Sequence, residues 1–280
     1  MGDLPLSQTS SLRLTPRTKN DNACARNSGL ACPPAVSRQA LSAVCRRHDS
    51  AYDVCTTCNQ TVPGSNVLKT TTTWLGQGST NSREVATYYD QWAPNYETSL
   101  DQWTYKAPQY AARLLAAQSR CQGPVFDAGC GTGLTGKALQ NEGFKTIIGT
   151  DISAASIEQA RQSGIYTRTQ ILDLQQFPLP FADNTFSAVN CVGVLTYIEA
   201  LQELLREFIR VTVPNGMVVF THRDDLLHQH NFMHILDTLE TEQLWEKVFL
   251  SEPEPYLPGN EEFADRIRVI YFAYRIRTGH

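Results

Sequence analysis

The sequence has no apolar run approaching the roughly 20 residues needed to cross a bilayer, and no apolar segment of the kind that forms a signal peptide core. A membrane-spanning chain is therefore not expected, and the default location is cytoplasmic. No single charge dominates either: 24 Lys+Arg against 28 Asp+Glu leave a net charge of -4. From residue 84 onward, 15 Lys plus Arg stand against 24 Asp plus Glu, a net of -9, so nucleic acid is not expected as a partner of that part. Convincing metal-ligand spacing is scarce. Cys45-x-x-His48 and Cys55-x-x-Cys58 have the pair spacing of a zinc site, but six residues between the pairs is short for a finger or ribbon, and unliganded thiols are the simpler reading. His228, His230 and His234 lack a fixed carboxylate partner and read as a solvated helix face. No metal is predicted.

What the chain does have is enough length and apolar content for one sizeable α/β domain with an appendage: 280 residues, 41% hydrophobic. The composition changes near residue 83. Residues 1–82 are rich in Ser, Thr, Asn and Arg, show scattered prolines and little periodicity, and predict a largely disordered N-terminal extension. Seven Lys or Arg against three acids in residues 1–50 faintly suggest a transit peptide, and Pro5, Pro16, Pro33 and Pro34 argue against its amphipathic helix. Residues 83–280 read as the folded domain, with its core at 121–222.

The stretch VFDAGCGTGLTG, residues 125–136, organises that domain. Val125 and Phe126 favour a strand, the glycines permit a tight turn, and residues 134–139 can start a helix. Strand, glycine loop and helix open a nucleotide site in an open α/β sheet. Gly131-x-Gly133-x-x-Gly136 matches the dinucleotide fingerprint, so a nicotinamide site must be weighed. Asp127 argues against it. A pyrophosphate brought to this turn would be repelled by a carboxylate, whereas the sulfonium and ammonium of S-adenosylmethionine would be attracted. The plainer reading of Asp127 is a cap for the helix that follows.

Strands and helices then alternate. Residues 146–150 form a strand ending at Asp151, twenty residues beyond Gly131, where an acid can accept hydrogen bonds from ribose hydroxyls in either kind of nucleotide site. Ile152 can cover an adenine face, and residues 153–162 read as a helix. Residues 166–172, 186–192 and 217–221 are the next strands, residues 199–211 a helix, and 247–250 and 267–275 closing strands. At the end of the third strand, Asp173 can accept from the adenine amine, and the amide of Leu174 can serve a ring nitrogen. This alternation predicts a parallel sheet with its site at the strands' carboxyl ends. Ahead of the sheet, residues 84–100 read as a helix broken before Pro94 and residues 105–117 as another. Tyr88, Tyr89, Trp92 and Tyr96 crowd one short segment, either as core or, for Tyr89 and Tyr96, as a cover that excludes water from the site. Cys130 and Cys191 fall in core or site-edge positions.

Over residues 84–280 the chain resembles the class I S-adenosylmethionine-dependent methyltransferases. Four stretches in order carry the resemblance: VFDAGCGTG, GTDISAASIEQA, DLQQFPLPFADNTFSAV and VPNGMVVF. It implies a Rossmann-like α/β fold, a seven-stranded, mostly parallel sheet flanked by helices, with its last strand antiparallel. It implies S-adenosyl-L-methionine as cofactor, with Asp127, Gly129, Cys130, Gly131 and Gly133 around its methionine part. Asp151 and Ile152 would take the ribose and adenine, Asp173 and Leu174 the adenine edge, and Asn190, Cys191 and Val192 the pocket beside the sulfonium, with Tyr96 as a further contact. Two positions depart from the pattern. Ser187 replaces the acid common after the phenylalanine that opens the fourth strand, and Asn215 precedes Gly216 where paired glycines are common.

Methyl transfer is an in-line displacement, so alignment and dryness can supply much of the acceleration without a protein nucleophile. His222, just past the fifth strand, is the one base candidate, with a structural histidine bonded to its surroundings as the plainer reading. The fourth strand lacks the acidic or asparagine, proline, proline, aromatic sequence that would suggest amino methylation of a base. The acceptor, a small molecule or a protein, is not readable. An NAD(P)-dependent oxidoreductase and a donor-binding but inactive adaptor are the alternatives.

Overall fold

The computed structural model describes residues 74–119, 123–228, 231–264 and 266–278. Cys45, His48, Cys55 and Cys58, most of the N-terminal extension, and His230 lie outside the described residues. Residues 74–77 are helical, and three longer helices follow: α1 Ser82–Trp92, α2 Tyr96–Gln102 and α3 Ala107–Gln118. The Asn81 side chain accepts from the amides of Arg83 and Glu84 and so starts α1. Pro94 lies in the 3-10 turn Ala93–Asn95 that separates α1 from α2, as the break in the sequence pattern predicts.

The rest alternates: β1 Val125–Ala128, α4 Leu134–Asn141, β2 Ile147–Asp151, α5 Ala154–Gln162, β3 Arg168–Ile171, β4 Phe186–Cys191, α6 Leu201–Val211 and β5 Thr212–Arg223. Then follow α7 Phe232–Thr241, β6 Trp245–Leu250, the two-residue β7 Glu254–Pro255 and β8 Arg268–Ile276. The sheet order is β3-β2-β1-β4-β5-β8-β6, with β7 paired to β8. Strands β1 to β5 pair in parallel, and β8 runs antiparallel to both β5 and β6. The expected seven strands are present with the last antiparallel, and β7 adds a short eighth.

Alternation along the strands sends side chains into two apolar layers. On one face Phe126, Val189, Phe220 and Phe272 pack with Phe208 of α6 and Phe232 of α7; on the other, Val125, Ile147, Val219 and Ala273 pack with Ala111 and Leu115 of α3 and Leu139 of α4. Helix α6 buries Leu201, Leu204, Leu205, Phe208 and Ile209, the spacing of one helical face.

The two departures from the family pattern find local solutions. Ser187 Oγ donates to the Pro124 carbonyl at 3.0 Å, tying β4 to the entry of β1. The β4–β5 register passes from Phe186↔Thr212 to Ala188↔Met217, so residues 213–216 are accommodated as an irregularity, and Asn215 takes a left-handed φ of 65° there. Among the described residues, no helix is long and apolar enough to cross a membrane.

Phe220 is fully buried and stacks on Phe272 and Tyr274 with ring centroids 5.1 and 5.9 Å away. Phe220→Ala should lower stability by about 3–5 kcal/mol, read as a shifted urea midpoint at unchanged slope. A loss below about 1 kcal/mol would contradict this account of the core.

Candidate functional site

The carboxyl ends of β1 to β4 carry the loops that build the site. After β1 the chain turns on three glycines with positive φ, Gly129, Gly131 and Gly133. Gly129 has no substitute, because a Cβ there would stand 2.2 Å from Val194 Cγ2. The amides of Gly129 and Cys130 both donate to the Thr150 carbonyl at 2.8 Å, fixing the turn against the end of β2.

Two carboxylates hold this loop in different ways. Asp127 is fully buried and does not face the cleft. Its Oδ2 accepts from Thr135 Oγ1 at 2.6 Å and from Tyr166 Oη at 2.8 Å, and its Oδ1 accepts from Asn190 Nδ2 at 3.0 Å. Burial raises its pKa, and the three donated hydrogen bonds oppose the rise. Asp151 stands at the cleft wall. Its Oδ2 accepts from the Gly131 amide and its Oδ1 from the Ser153 amide, both at 2.9 Å. Its pKa rises to about 6, chiefly through burial, with smaller upward contributions from the charges of Asp127 and Asp90.

Tyr166 is the part of this arrangement that the sequence pattern hides. Its hydroxyl accepts from the Gly136 amide at 3.0 Å while donating to Asp127. Its ring fills the space over Gly136 and Gly149, where a Cβ would come within 2.3 and 2.7 Å of ring carbons. Gly136, the third glycine of the fingerprint, is thus required by a tyrosine thirty residues away. Its amide is already engaged and is not offered to a phosphate.

A cleft opens above the loops. Its wall holds Gly129, Gly131, Asp151, Ile152, Asp173, Leu174 and Val192 from the sheet side, and Val85, Tyr89 and Tyr96 from the N-terminal helices. Of the residues expected from sequence, Cys130, Gly133, Asn190 and Cys191 join Asp127 behind that wall. Cys130 packs against Ile157 and Ala160, while a Cβ on Gly133 would face α5. Asn190 braces Asp127, and Cys191 lies in the layer with Phe126 and Phe220. His222 lines a smaller adjoining cavity. Its ring stacks on Phe232 at 4.1 Å, with Nδ1 2.9 Å from the Arg223 carbonyl oxygen.

The helices ahead of the sheet are pinned over the cleft by polar contacts that sequence reading missed. Asp90 Oδ1 accepts from Ser153 Oγ at 2.7 Å and the Ala155 amide at 3.0 Å, placing a carboxylate at the amino end of α5. Gln175 Nε2 donates to the Thr80 carbonyl at 2.8 Å, and its Oε1 accepts from the Glu199 amide at 2.8 Å. Thr132 Oγ1 donates to Glu97 Oε1 at 2.9 Å. An acid inside the aromatic run YYDQW was the available signal for Asp90; no local pattern marks the others. Acids at Asp151 and Asp173 beside the apolar covers Ile152 and Leu174 suit a nucleoside.

A family model described as "Methyltransferase domain" matches residues 126–220. The chain is 35% identical to methyltransferase-like protein 27 of Homo sapiens over 167 residues, covering 57% of this chain and 67% of that protein. It is 33% identical over 97 residues to the malonyl-acyl-carrier protein O-methyltransferase of Yersinia pestis, 35% of either chain, so it spans about a third of that relative's length. Among solved structures, the crystal structure of the cyclase SpnF aligns with a TM-score of 0.57 at 16% identity, over 71% of this chain and 97% of that one. This last likeness is one of fold.

The contact between Gly136 and Tyr166 can be tested by a double-mutant cycle. Gly136→Ala should cost about 1–3 kcal/mol in the native background and much less beside Tyr166→Ala, which removes the ring it would strike. Equal costs in both backgrounds, measured by urea denaturation, would show that Gly136 is required for another reason.

Proposed function

The chain belongs to the class I S-adenosylmethionine-dependent methyltransferases, and we propose that the cleft over the carboxyl ends of β1 to β4 is where it holds the methyl donor. Each Asp151 oxygen accepts one backbone amide and retains a further lone pair, which suits the two ribose hydroxyls. That carboxylate at the cleft wall is the observation that carries the assignment. Ile152 and Leu174 cover the adenine faces, and Asp173 accepts from its exocyclic amine. The loop at Gly129 and Gly131, which lines the cleft beside Asp151, receives the methionine part. Val192 and Tyr96 flank the sulfonium. Asp127, Cys130, Gly133, Asn190 and Cys191 serve from behind the wall by fixing the loop's course. The nicotinamide alternative finds no support: Asp151 occupies the Gly131 amide and Asp127 lies behind the loop, so the turn is negative where a pyrophosphate would need it positive.

When bound, the donor supplies a methyl group on a positively charged sulfur for in-line displacement. The chain's part is to align and to dry. Tyr89 and Tyr96, half-buried against Tyr88, Trp92 and Tyr197, close the cleft from the side opposite the sheet. The human relative's name specifies no acceptor, and the Yersinia relative's name gives an oxygen acceptor for that protein. The acceptor here is a small molecule or a protein.

Calorimetric titration of the full chain should show binding of S-adenosylmethionine and S-adenosylhomocysteine and none of NADH. Binding of NADH alone would overturn the assignment. Asp151→Asn should weaken donor binding about tenfold or more, because it removes the charge from the acceptor of two hydroxyls. Protonation of Asp151 has the same sign, so donor affinity should fall about tenfold from pH 7 to pH 5 as the carboxyl is titrated through its pKa of about 6. Fold stability of the unliganded chain should move the other way. A raised carboxyl contributes stability that is present below its ordinary 3.8 and is lost as pH rises through about 6. Donor affinity independent of pH over this range would remove Asp151 from the ribose.

A further inference from the structure

Beyond the donor half, the cleft changes chemistry. Its lining acids, Asp151 and Asp173, both belong to the part assigned to ribose and adenine. Past Val192 the wall passes through Gly193 and Val194 into the smaller cavity, which Thr221, Arg223 and Tyr256 help to line. Among the described residues, no Asp or Glu lines that cavity. Gly193 stands at the junction with a φ of 74°. A Cβ on it would lie 3.3 Å from Tyr105 Oη and 3.4 Å from Tyr256 Oη, so the missing side chain leaves two phenols facing the passage.

The tyrosines here stand in two pairs. Tyr89 Oη donates to Tyr197 Oη at 3.0 Å. Tyr105 and Tyr256 meet edge to face with ring centroids 5.5 Å apart, and the Tyr105 hydroxyl favours ionisation of Tyr256. Burial nevertheless keeps all four protonated at neutral pH, with Tyr256 pushed up to about 12. Tyr197 accepts from Tyr89, and Tyr197 and Tyr256 each carry a hydroxyl proton that can be donated. Arg223 stands close enough for its positive field to favour ionisation of both. The guanidinium is held by Asp225, at 3.0 and 2.6 Å, and by the Leu75 carbonyl.

This end of the cleft therefore offers hydroxyl protons and a positive potential. An ammonium would lose hydration there and find no carboxylate in return. An anion with two oxygens would find two donors. Neutral phenols are poor proton acceptors, so an acceptor that arrives already ionised suits the pocket better than an alcohol that must be deprotonated.

We propose that the inner end of the cleft receives a carboxylate, whose oxygens accept hydrogen bonds from the hydroxyls of Tyr197 and Tyr256, and that the enzyme methylates it to an ester. The inference rests on the donor assignment above. A carboxylate lone pair forms the new C–O bond as the methyl C–S bond breaks, and that bond's electrons return to sulfur. The products are a neutral methyl ester and S-adenosylhomocysteine, with no proton transferred. Opposite charges cancel in the step, so a dry, aromatic pocket favours it over water.

The test uses the full chain, methyl-labelled S-adenosylmethionine and size-matched acceptors: benzoate, phenol and benzylamine; hexanoate, hexanol and hexylamine; and a deproteinised cell extract. Label should enter the carboxylates and the extract as base-labile methyl, recovered as methanol after mild alkali. Tyr197→Phe and Tyr256→Phe should each raise KM for the best carboxylate about tenfold with a smaller change in kcat, donor binding serving as the check on folding. Label that is base-stable and enters the amines, phenol or hexanol overturns the proposal. So does the absence of any base-labile product from a preparation that binds S-adenosylmethionine. A wild-type chain that fails to bind the donor overturns the parent assignment instead.

Discussion

The site depends on a buried carboxylate that does not reach the cleft. Asp127 lies at the centre of the sheet, on the strand flanked by β2 and β4, and burial there disfavours its charge. It is held by donors from three separate places: Thr135 on α4, Tyr166 ahead of β3 and Asn190 on β4. Each bond offsets desolvation of the acid and also ties one more element to the loop. Removing a donor would leave a buried charge less satisfied, which is costlier than losing an ordinary surface hydrogen bond. The loop conformation, the position of α4 and the register of β4 against β1 all meet at this group.

The cover over the cleft is built on different principles. The segment from residue 74 to 103 has an apolar cluster of its own, Leu75, Trp92, Leu100 and Trp103 with Leu257, Phe263 and Ile267, separate from the two layers that sandwich the sheet. It joins the sheet side largely through polar contacts at loop ends: Asp90 on α5, Glu97 on Thr132, Gln175 on the chain at Thr80, and Arg223 on Leu75. Several of these partners belong to loops that also line the cleft. The same few hydrogen bonds therefore set both the placement of the cover and the shape of the wall beneath it.

The fold was legible in the sequence because its cause is repetitive. Apolar runs separated by helical spacing mark the alternation of strands and helices, and the predicted strands recur with ends shifted by a few residues. Asp151, Ile152, Asp173 and Leu174 were legible as wall residues because they follow strand ends, where open α/β sheets place ligands. What stayed hidden depends on contacts across the chain. Nothing in the local pattern says that Gly136 makes room for Tyr166, that Gly129 makes room for Val194, or that Asp127 is turned away from the cleft. A glycine fingerprint records where a Cβ cannot stand. The neighbour that excludes it determines what the glycine means, and that neighbour lies 30 residues away in one case and 65 in the other.

The same distinction explains why the dinucleotide pattern matches a loop whose surroundings do not suit a pyrophosphate. A pyrophosphate site needs loop amides that are free to donate, and here those of Gly129 and Cys130 go to the Thr150 carbonyl and that of Gly131 to Asp151. With Asp127 behind the loop and Asp151 at its side, the local charge is negative where a phosphate would need it positive. A ligand whose charged centre is a cation meets the opposite situation. Anionic groups cluster around the nucleoside end of the cleft, while hydroxyl donors and Arg223 lie at the far end. A cation set between them is attracted from one side, and an anion is admitted from the other. The order of charges along the cleft thus fixes the direction in which two reactants of opposite sign can meet, which the glycine spacing alone could not do.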